Sequence, residues 1–193
     1  MVKNKRNQIL EAASRSFSLF GYKGTTIDQV AKMADVGKGT VYTAFENKED
    51  LFHAVLQRVI DELKAVFAEA IKEDQDGFEN ITSALDELHT FKEKHQLVAK
   101  LADEVRVLGS ESANKALQQV EYAMIDLVKQ LLIKAERNGK IHCPNPQATA
   151  FLLYKSYLSL VTEFEENYAP LEKEELIDIF KLHFMHGIAK DEA

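Results

Sequence analysis

The apolar positions of the chain recur at the spacing of amphipathic helices. The first apolar stripe ends at Gly21 and consists of Ile9, Leu10, Ala13, Phe17 and Phe20. Intervals of three and four residues predict a helix with one buried face. The sequence contains no convincing run in which apolar and polar residues alternate, the pattern of a half-buried strand. The pattern therefore predicts an all-α protein.

Two short helices and a long one are predicted after this first helix. Thr26 and Gln29 have the spacing of a capping box, in which each side chain binds the backbone N–H of the other residue. A short helix should therefore span about 26–34, and a second one about 37–44. Asn47 is a favourable N-cap for the long helix, and Glu49 and Asp50 complement the helix dipole in its first turn.

Longer helices are predicted from there to the end of the sequence. They cover about 78–94, 97–107, 111–137, 147–167 and 172–189, with a helix stop at Asn138-Gly139 and a proline-rich turn at 142–146. This makes about nine helices in total. The short helices form a predicted N-terminal domain, residues 1–47, and the longer ones form a second domain, residues 48–193.

The distribution of charge distinguishes these two parts of the chain. The 193 residues carry a formal net charge of −7. Residues 1–48, however, contain eight Lys and Arg against four Asp and Glu, a net charge of +4, so the remaining residues carry −11. A basic N-terminal part attached to an acidic body suggests a module that binds a polyanion.

Composition also limits the cellular setting. No stretch approaches 18 consecutive apolar residues, so the sequence predicts no transmembrane helix. The first residues are basic, but Glu11, Ser14 and Arg15 interrupt the apolar segment that a signal peptide needs. Cys143 is the single cysteine, which excludes an intrachain disulfide and agrees with a reducing compartment. We expect a cytoplasmic protein.

Residues 36–52, VGKGTVYTAFENKEDLF, place glycines next to a lysine and a threonine. A phosphate-binding P-loop has this composition, but it needs four residues between its first glycine and the Gly-Lys pair, and it follows a strand. A dinucleotide-binding fingerprint needs a further glycine where this chain has Tyr42. Neither spacing is present, so the stretch does not predict a nucleotide site.

The same stretch fits the second helix of a helix-turn-helix unit. The helices at about 26–34 and 37–44 meet at a tight turn, and such a pair places its second helix in the major groove of DNA. The missing side chain of Gly39 lets the backbone approach the DNA. The side chains offered to DNA would then be those of Lys38, Thr40, Tyr42 and Thr43.

Cations at the start of helices support this interpretation. Lys3, Lys5 and Arg6 precede the stripe of the first helix, and Lys48 lies in the first turn of the long helix. A cation opposes the helix dipole at that end, so local helix stability gives no reason for these residues, whereas phosphate contact does. The alternative is that they are solvated helix termini.

Residues 9–51 resemble the DNA-binding domain of TetR-type bacterial transcriptional regulators. The shared pattern consists of EAA and FSLFGY in the first helix, TTID before the second, and GTVYTAF followed by KEDL. Together with the arguments above, the resemblance implies contact with a double-stranded DNA operator. The implied DNA-binding residues are Lys3, Lys5, Arg6, Thr25, Thr26, Gly37, Lys38, Gly39, Thr40, Tyr42, Thr43 and Lys48.

The sequence departs from the family pattern at three places. Asp35 stands where glycine is usual, which is tolerable because Asp adopts left-handed backbone conformations. Gly37 stands where Ser or Thr commonly caps the recognition helix and touches phosphate. Thr43 and Ala44 replace what are often aromatic or His residues, so a side-chain contact at position 44 is not carried over. More of the contact should therefore come from Lys38, Thr40, Tyr42 and Lys48.

The resemblance also implies how DNA binding is regulated. TetR-type proteins are homodimers whose recognition helices enter successive major grooves, about 34–36 Å apart for helix-turn-helix dimers. A small-molecule effector favours a state in which the two DNA-binding domains of the dimer are wrongly spaced, so the affinity for DNA falls. The resemblance thus implies a ligand-responsive regulator, most often a repressor.

Two sets of apolar residues are candidates for these roles, and an ordinary core is the competing interpretation of both. The last two helices are the usual dimer surface of the family, with candidates Phe151, Leu158, Val161, Leu176, Phe180 and Phe184. The middle helices would hold the effector, with candidates Phe67, Phe78, Leu88, Phe91, Leu101, Val105, Met124 and Tyr154. Few charges lie on these stripes, which favours an apolar effector such as a fatty acyl compound or a hydrophobic drug.

Histidine and cysteine residues do not form a recognisable metal motif. His183 and His186 are spaced to share a helix face, and His142 precedes Cys143, but zinc needs three or four convergent ligands. We predict no metal site, no cofactor and no enzymatic activity, and we treat Cys143 as an incidental thiol. The competing function class is a helical adaptor that binds protein, which would not need the basic N-terminal part.

Overall fold

The chain folds into helices, as the periodicity predicts. The computed structural model describes residues 2–70, 72, 80, 83, 84, 86–88, 90, 91, 96–139 and 141–185. Its helices are α1 (Val2–Gly24), α2 (Ile27–Met33), α3 (Lys38–Ala44), α4 (Lys48–Ala70), α5 (Gln96–Leu108), α6 (Glu111–Arg137), α7 (Pro146–Leu160) and α8 (Lys173–Phe180), followed by a π-helical turn, Lys181–Met185. The predicted all-α class is confirmed. Most of the predicted helix at 78–94 lies outside the described residues.

Local signals set the limits of the first four helices. The capping box at α2 is present, since Thr26 Oγ1 accepts from the Gln29 N–H at 3.2 Å and Gln29 Oε1 accepts from the Thr26 N–H at 2.9 Å. Asn47 caps α4, because its Oδ1 accepts from the N–H of Asp50 at 2.8 Å. Asp35 has a φ of 52°, the left-handed conformation expected where the family pattern has glycine.

Helix α1 is interrupted before its hydrogen-bonding pattern ends at Gly24. Gly21 has a φ of 73° and a ψ of −178°, a conformation that is almost restricted to glycine. A Cβ at this position would overlap the carboxylate of Glu104 on α5. The predicted end of the helical stripe at Gly21 is therefore a real break in the backbone, and α5 lies against it.

The helix that follows the proline-rich turn is shorter than the periodicity predicts. Helix α7 ends at Leu160 rather than near residue 167, and the next residues form turns. Two β-branched residues, Val161 and Thr162, follow this end, and the Thr162 hydroxyl donates to the carbonyl of Leu158 at 2.7 Å. A side chain that binds a helix carbonyl in this way competes with the backbone pattern. The apolar spacing continues past this point, but the helix does not.

The described residues divide into two compact units. The first comprises residues 1–63 and 91–120, and the second comprises residues 64–90 and 121–193. In the first unit, α1 packs against α2, α3 and α5. Its core contains side chains from all of the N-terminal helices, among them Ile9, Phe17, Val30, Val41, Phe45, Leu51 and Phe52. The division into domains at residues 47 and 48 stays a prediction.

Candidate nucleic-acid interface

Helices α2 and α3 form a helix-turn-helix pair on the first unit. Val30 and Val41 are fully buried between the helices, and Phe45 at the end of α3 is nearly so. The turn is closed by the N–H of Val36, which donates to the carbonyl of Ala31 at 3.0 Å. Buried apolar residues thus fix α3 from one side, and its opposite face is left in solvent.

The solvent face of α3 carries most of the residues that the sequence predicts for DNA binding. Lys38, Gly39, Tyr42 and Thr43 are exposed, and Thr40 is half-buried. A Cβ built on Gly39 would meet no atom within 4 Å, so this part of the helix is open. The Thr43 hydroxyl donates to the carbonyl of Gly39 at 2.9 Å, which orients its lone pairs outward.

Lys38 has a partner on α2 that the sequence reading missed. Its Nζ lies 2.9 Å from Oδ2 of Asp28, and both side chains are largely exposed. The hydrogen bond and the charge of Asp28 raise the pKa of Lys38. The capping-box motif placed Asp28 in the first turn of α2, but pairing with Lys38 depends on the angle between the helices, which no local signal contains.

The start of α1 lies beside the end of α3. The guanidinium of Arg6 stacks over the ring of Phe45, with 4.7 Å between its Cζ and the ring centroid. Lys5 is exposed one residue earlier, whereas the side chain of Lys3 lies outside the described part of the chain. The structure therefore brings Arg6 next to the end of the recognition helix.

Lys48 has a local structural role, contrary to the argument from the helix dipole. Its Nζ donates to the carbonyls of Tyr22 at 2.9 Å and Thr25 at 3.1 Å, and it lies 4.4 Å from the centroid of the Tyr22 ring. The ammonium thus binds carbonyls that follow the break in α1. A cation at the start of α4 is explained by this tertiary contact, and contact with phosphate stays a prediction.

Thr25 does not offer its side chain to DNA. It is fully buried, and its Oγ1 lies 3.2 Å from the Oγ of Ser16 on α1. Its neighbour Thr26 is exposed, but its hydroxyl caps α2. The TT pair therefore closes the junction between α1 and α2, and we correct the role of Thr25 from DNA contact to core packing.

We expect Lys48→Met to destabilise the first unit and to weaken DNA binding. The variant keeps the aliphatic stem but removes the donor to two backbone carbonyls, so the free energy of unfolding should fall by about 1.5–3 kcal/mol. Urea denaturation followed by circular dichroism measures this loss. Lys64→Met, an exposed change on the same helix, serves as the control. An unchanged unfolding midpoint in Lys48→Met would show that the two carbonyl contacts do not stabilise the fold.

A small cavity lies within the second unit. Three of the predicted effector residues, Phe67, Leu88 and Tyr154, line it together with Ala84, Val128, Leu131, Leu153 and Tyr157. Its free volume is about 20 Å³, room for about one water molecule. Burial and the charge of Glu121 raise the pKa of Tyr154 to about 12, so its phenol is neutral at physiological pH.

The other predicted effector residues do not line this cavity. Phe91, Leu101 and Val105 belong to the first unit, and Leu101 is fully buried there. Met124 is buried in the second unit away from the cavity lining, and Phe78 lies outside the described residues. For Phe91, Leu101 and Met124 the correct interpretation is core packing.

The predicted dimer residues separate into internal and accessible ones. Val161, Leu176 and Phe180 are buried within the chain itself, so their apolar character is explained by its own core. Phe151 is exposed, and Leu158 and Phe184 are half-buried. Other exposed apolar side chains of the second unit are Tyr122 on α6, Leu152 on α7 and Leu182 in the π-helical turn.

No metal site emerges within the described ranges. No group of three or more His, Cys, Asp or Glu side chains there is placed to hold a metal ion. His142 is exposed, Cys143 is buried, and His186 is not among the described residues. Among the helices that are described, none combines the length and apolar character that crossing a membrane requires.

Comparison with known proteins decides the family. The family model described as "Bacterial regulatory proteins, tetR family" matches residues 9–55. A relative from Bacillus subtilis, "Uncharacterized HTH-type transcriptional regulator YhgD", is 35% identical over 186 residues, which cover 96% of this chain and 97% of the relative. The chain belongs to the TetR family. The resemblance predicted from residues 9–51 is confirmed, and the protein is a DNA-binding transcriptional regulator.

Solved structures of TetR-type proteins share its fold. The reduced form of NemR from E. coli superposes with a TM-score of 0.75 at 21% identity, over 98% of this chain and 100% of that one. The fatty acid degradation regulator FadR from Bacillus halodurans gives a TM-score of 0.69 at 20% identity, over 91% of each chain. At these identities the likeness concerns the fold alone.

A second residue missed in the sequence is Glu104 of the TetR-type core. It is 5% exposed, and its carboxylate accepts two hydrogen bonds from the backbone N–H of Lys23, at 3.1 and 3.3 Å. A signal for it was present, because Leu97, Leu101 and Glu104 follow one another at intervals of four and three on the buried face of α5. A carboxylate in an apolar stripe is a reason to expect a specific partner.

Proposed function

We propose that the protein is a cytoplasmic repressor that binds a two-part DNA operator as a homodimer and is released from it by a small apolar molecule. Membership of the TetR family supports regulation at DNA. The observation that carries the proposal is the solvent face of α3, where Lys38, Gly39, Tyr42 and Thr43 are exposed beside Arg6 of α1. A Cβ built on Gly39, at the start of this face, would meet no atom within 4 Å, so the face is open to a ligand there.

The residues of this face divide by the part of DNA that they suit. Tyr42 and Thr43 lie on the exposed side of α3, where hydroxyl groups reach base edges in the major groove. Lys5 and Arg6 lie at the start of α1 and suit phosphates, which fix the position of the protein without reading sequence. Lys38 begins α3, and it must exchange Asp28 for DNA if it takes part.

The salt dependence of DNA binding tests this proposal directly. With Lys5, Arg6 and Lys48 of each subunit on phosphates, about six phosphates are neutralised, so affinity should fall about a thousandfold between 50 and 200 mM salt. The measurement is fluorescence anisotropy with a duplex selected by the protein from a randomised library. Failure to select any sequence would contradict operator binding and would favour a protein-binding adaptor.

Dimerisation is proposed through the exposed apolar side chains of the second unit. Leu152 on α7 is 57% exposed, and Phe151 beside it is 46% exposed. Apolar side chains of this size on neighbouring positions are typical of a surface covered by a partner. The family's usual use of its last two helices for dimerisation supports the same surface.

We expect Leu152→Glu to convert the dimer to a monomer at micromolar concentration. Pairing of two copies would bury a carboxylate of each subunit without a partner, which costs far more than the leucine contributes. Light scattering measures the mass. Val107→Glu, at an exposed apolar site on α5, is the matched control and should stay dimeric. A dimeric Leu152→Glu would place the interface elsewhere.

The cavity of the second unit is the proposed effector site. Its lining is apolar apart from the hydroxyls of Tyr154 and Tyr157, which suits a hydrophobic molecule. Because the free volume is about 20 Å³, such a molecule can bind only if the lining side chains move apart.

A further inference from the structure

The end of α1 is bound by side chains from two other helices, Glu104 on α5 and Lys48 on α4. The backbone N–H of Lys23 donates to both carboxylate oxygens of Glu104 on α5, at 3.1 and 3.3 Å, and Lys23 Nζ donates to the carbonyl of Leu108 at the end of α5. We call residues 21–25 the junction segment.

The carboxylate of Glu104 is buried against the junction segment. It is 5% exposed, and the hydrogen bonds described for it both come from the N–H of Lys23. Carboxylates are seldom buried to this extent without specific partners, because an acceptor removed from water must be compensated by a donor. Separation of α5 from the junction segment would leave both the carboxylate and the amide without that compensation.

The conformation of Gly21 also accommodates the contact between Glu104 and the junction segment. Its φ of 73° and ψ of −178° turn the backbone two residues before Lys23, whose N–H donates to Glu104 on α5. A side chain on residue 21 would occupy the space of Glu104 Oε2. The carboxylate of Glu104 therefore occupies space that is free only because residue 21 is glycine. This steric match is an observation separate from the hydrogen bonds.

The other side of the junction segment is held by α4. Lys48 Nζ donates to the carbonyls of Tyr22 and Thr25, so the segment gives its amide to a carboxylate of α5 and its carbonyls to an ammonium of α4. Thr26 directly follows and caps α2. The position of α2, and with it that of α3, is consequently set through this segment.

We propose that Glu104 is a positioning residue for operator binding, which fixes the direction of α2 and α3 relative to α5 through the amide of Lys23. The proposal rests on the proposed function, because direction matters only where two recognition helices must match two half-sites. Glu104 has no contact with DNA in this role. Loss of Glu104 should therefore weaken the simultaneous binding of two half-sites. The affinity of one DNA-binding domain for one half-site should stay unchanged.

Amide hydrogen exchange tests the contact without any ligand. In Glu104→Ala the exchange rate of the Lys23 amide should rise about tenfold or more, while amides in the middle of α1 keep their protection. Glu104→Gln retains one acceptor oxygen and should give an intermediate rate. Asp103→Ala is the matched control, since Asp103 is an exposed neighbour that pairs with Arg106 one turn along. An unchanged Lys23 amide in Glu104→Ala would overturn the proposal.

Two DNA probes test the consequence. The duplex selected by the wild-type protein is compared with a truncated duplex that retains one half-site. Glu104→Ala should bind the full duplex about tenfold more weakly and the half-site duplex as the wild type does, a loss in the usual range of coupling between sites. Equal losses on both probes, or no loss on either, would overturn the positioning role.

Further variants keep this test decisive. If circular dichroism shows that Glu104→Ala is unfolded, Glu104→Gln is measured on both duplexes instead. Its affinity for the full duplex should then fall by a smaller factor, and its affinity for the half-site duplex should stay that of the wild type. Gly21→Ala displaces the carboxylate from the opposite side and should give the same selective loss on the full duplex. A wild-type protein that selects no DNA would overturn the proposed function and the positioning role together. Wild-type binding with unaffected variants would overturn the positioning role alone.

Discussion

Gly39→Glu is expected to abolish specific DNA binding without unfolding the protein. The position is exposed on α3, and a Cβ there meets no atom within 4 Å, so the fold has room for a side chain. In a helix, replacement of glycine by a residue with higher helix propensity is favourable by up to about 1 kcal/mol. A carboxylate at this point would face the phosphates and acceptor-rich base edges of the major groove. Operator affinity should therefore fall by about a hundredfold or more, since like charges at an interface cost several kcal/mol.

The matched control for this prediction is Gly39→Ala. It fills the same open position with one methyl group and no charge, so it should retain most of the affinity and have an equal or higher melting temperature. Anisotropy titrations with the selected duplex and thermal denaturation measure the two quantities. Tight binding by Gly39→Glu would show that the exposed face of α3 does not enter DNA, whatever surface binds it.

Phe52→Ala is expected to have the largest effect on stability. Phe52 on α4 is 1% exposed, and its ring lies 4.9 Å from that of Phe17 and 4.8 Å from that of Tyr22, measured between centroids. Truncation leaves a cavity among these rings, so the free energy of unfolding should fall by about 3–5 kcal/mol. Whole domains are stable by only about 5–15 kcal/mol. We therefore expect partial unfolding of the first unit and loss of operator binding at 37 °C.

Urea denaturation separates this effect from a general loss of apolar surface. Leu19→Ala, on an exposed part of α1, removes a large apolar side chain from solvent and should change stability by no more than about 0.5 kcal/mol. Phe52→Leu keeps much of the volume and should be intermediate. A midpoint for Phe52→Ala equal to that of Leu19→Ala would mean that the aromatic cluster contributes little to the stability of the unit.

Signals contained within a few residues predicted the N-terminal helices well. The capping box at Thr26 and the N-cap at Asn47 depend on contacts between residues three apart, so the sequence contains all that is needed. The left-handed turn at Asp35 is local in the same sense. For this reason the predicted helix at about 37–44 agrees closely with α3, Lys38–Ala44.

Contacts between residues far apart in the sequence are not contained in the local pattern. The cation of Lys48 opposes the dipole of its own helix, and the sequence offered no partner for it, whereas the fold supplies carbonyls of residues 22 and 25. Thr25 belongs to a motif that suggested DNA contact, but it is buried against Ser16. Periodicity shows that a helix face is apolar. It does not show what covers that face, so the pattern alone is compatible with an interface for Val161, Leu176 and Phe180, which are buried within the chain itself.

The size of the cavity in the second unit affects how an effector would be sensed. If the lining is closed around about 20 Å³ in the absence of effector, the form that admits a hydrophobic molecule is a minor conformation. The measured dissociation constant then equals the intrinsic constant divided by the fraction of open molecules. Substitutions that loosen the lining would make the regulator more sensitive without adding a single contact to the effector, and the concentration at which transcription changes would be set by packing.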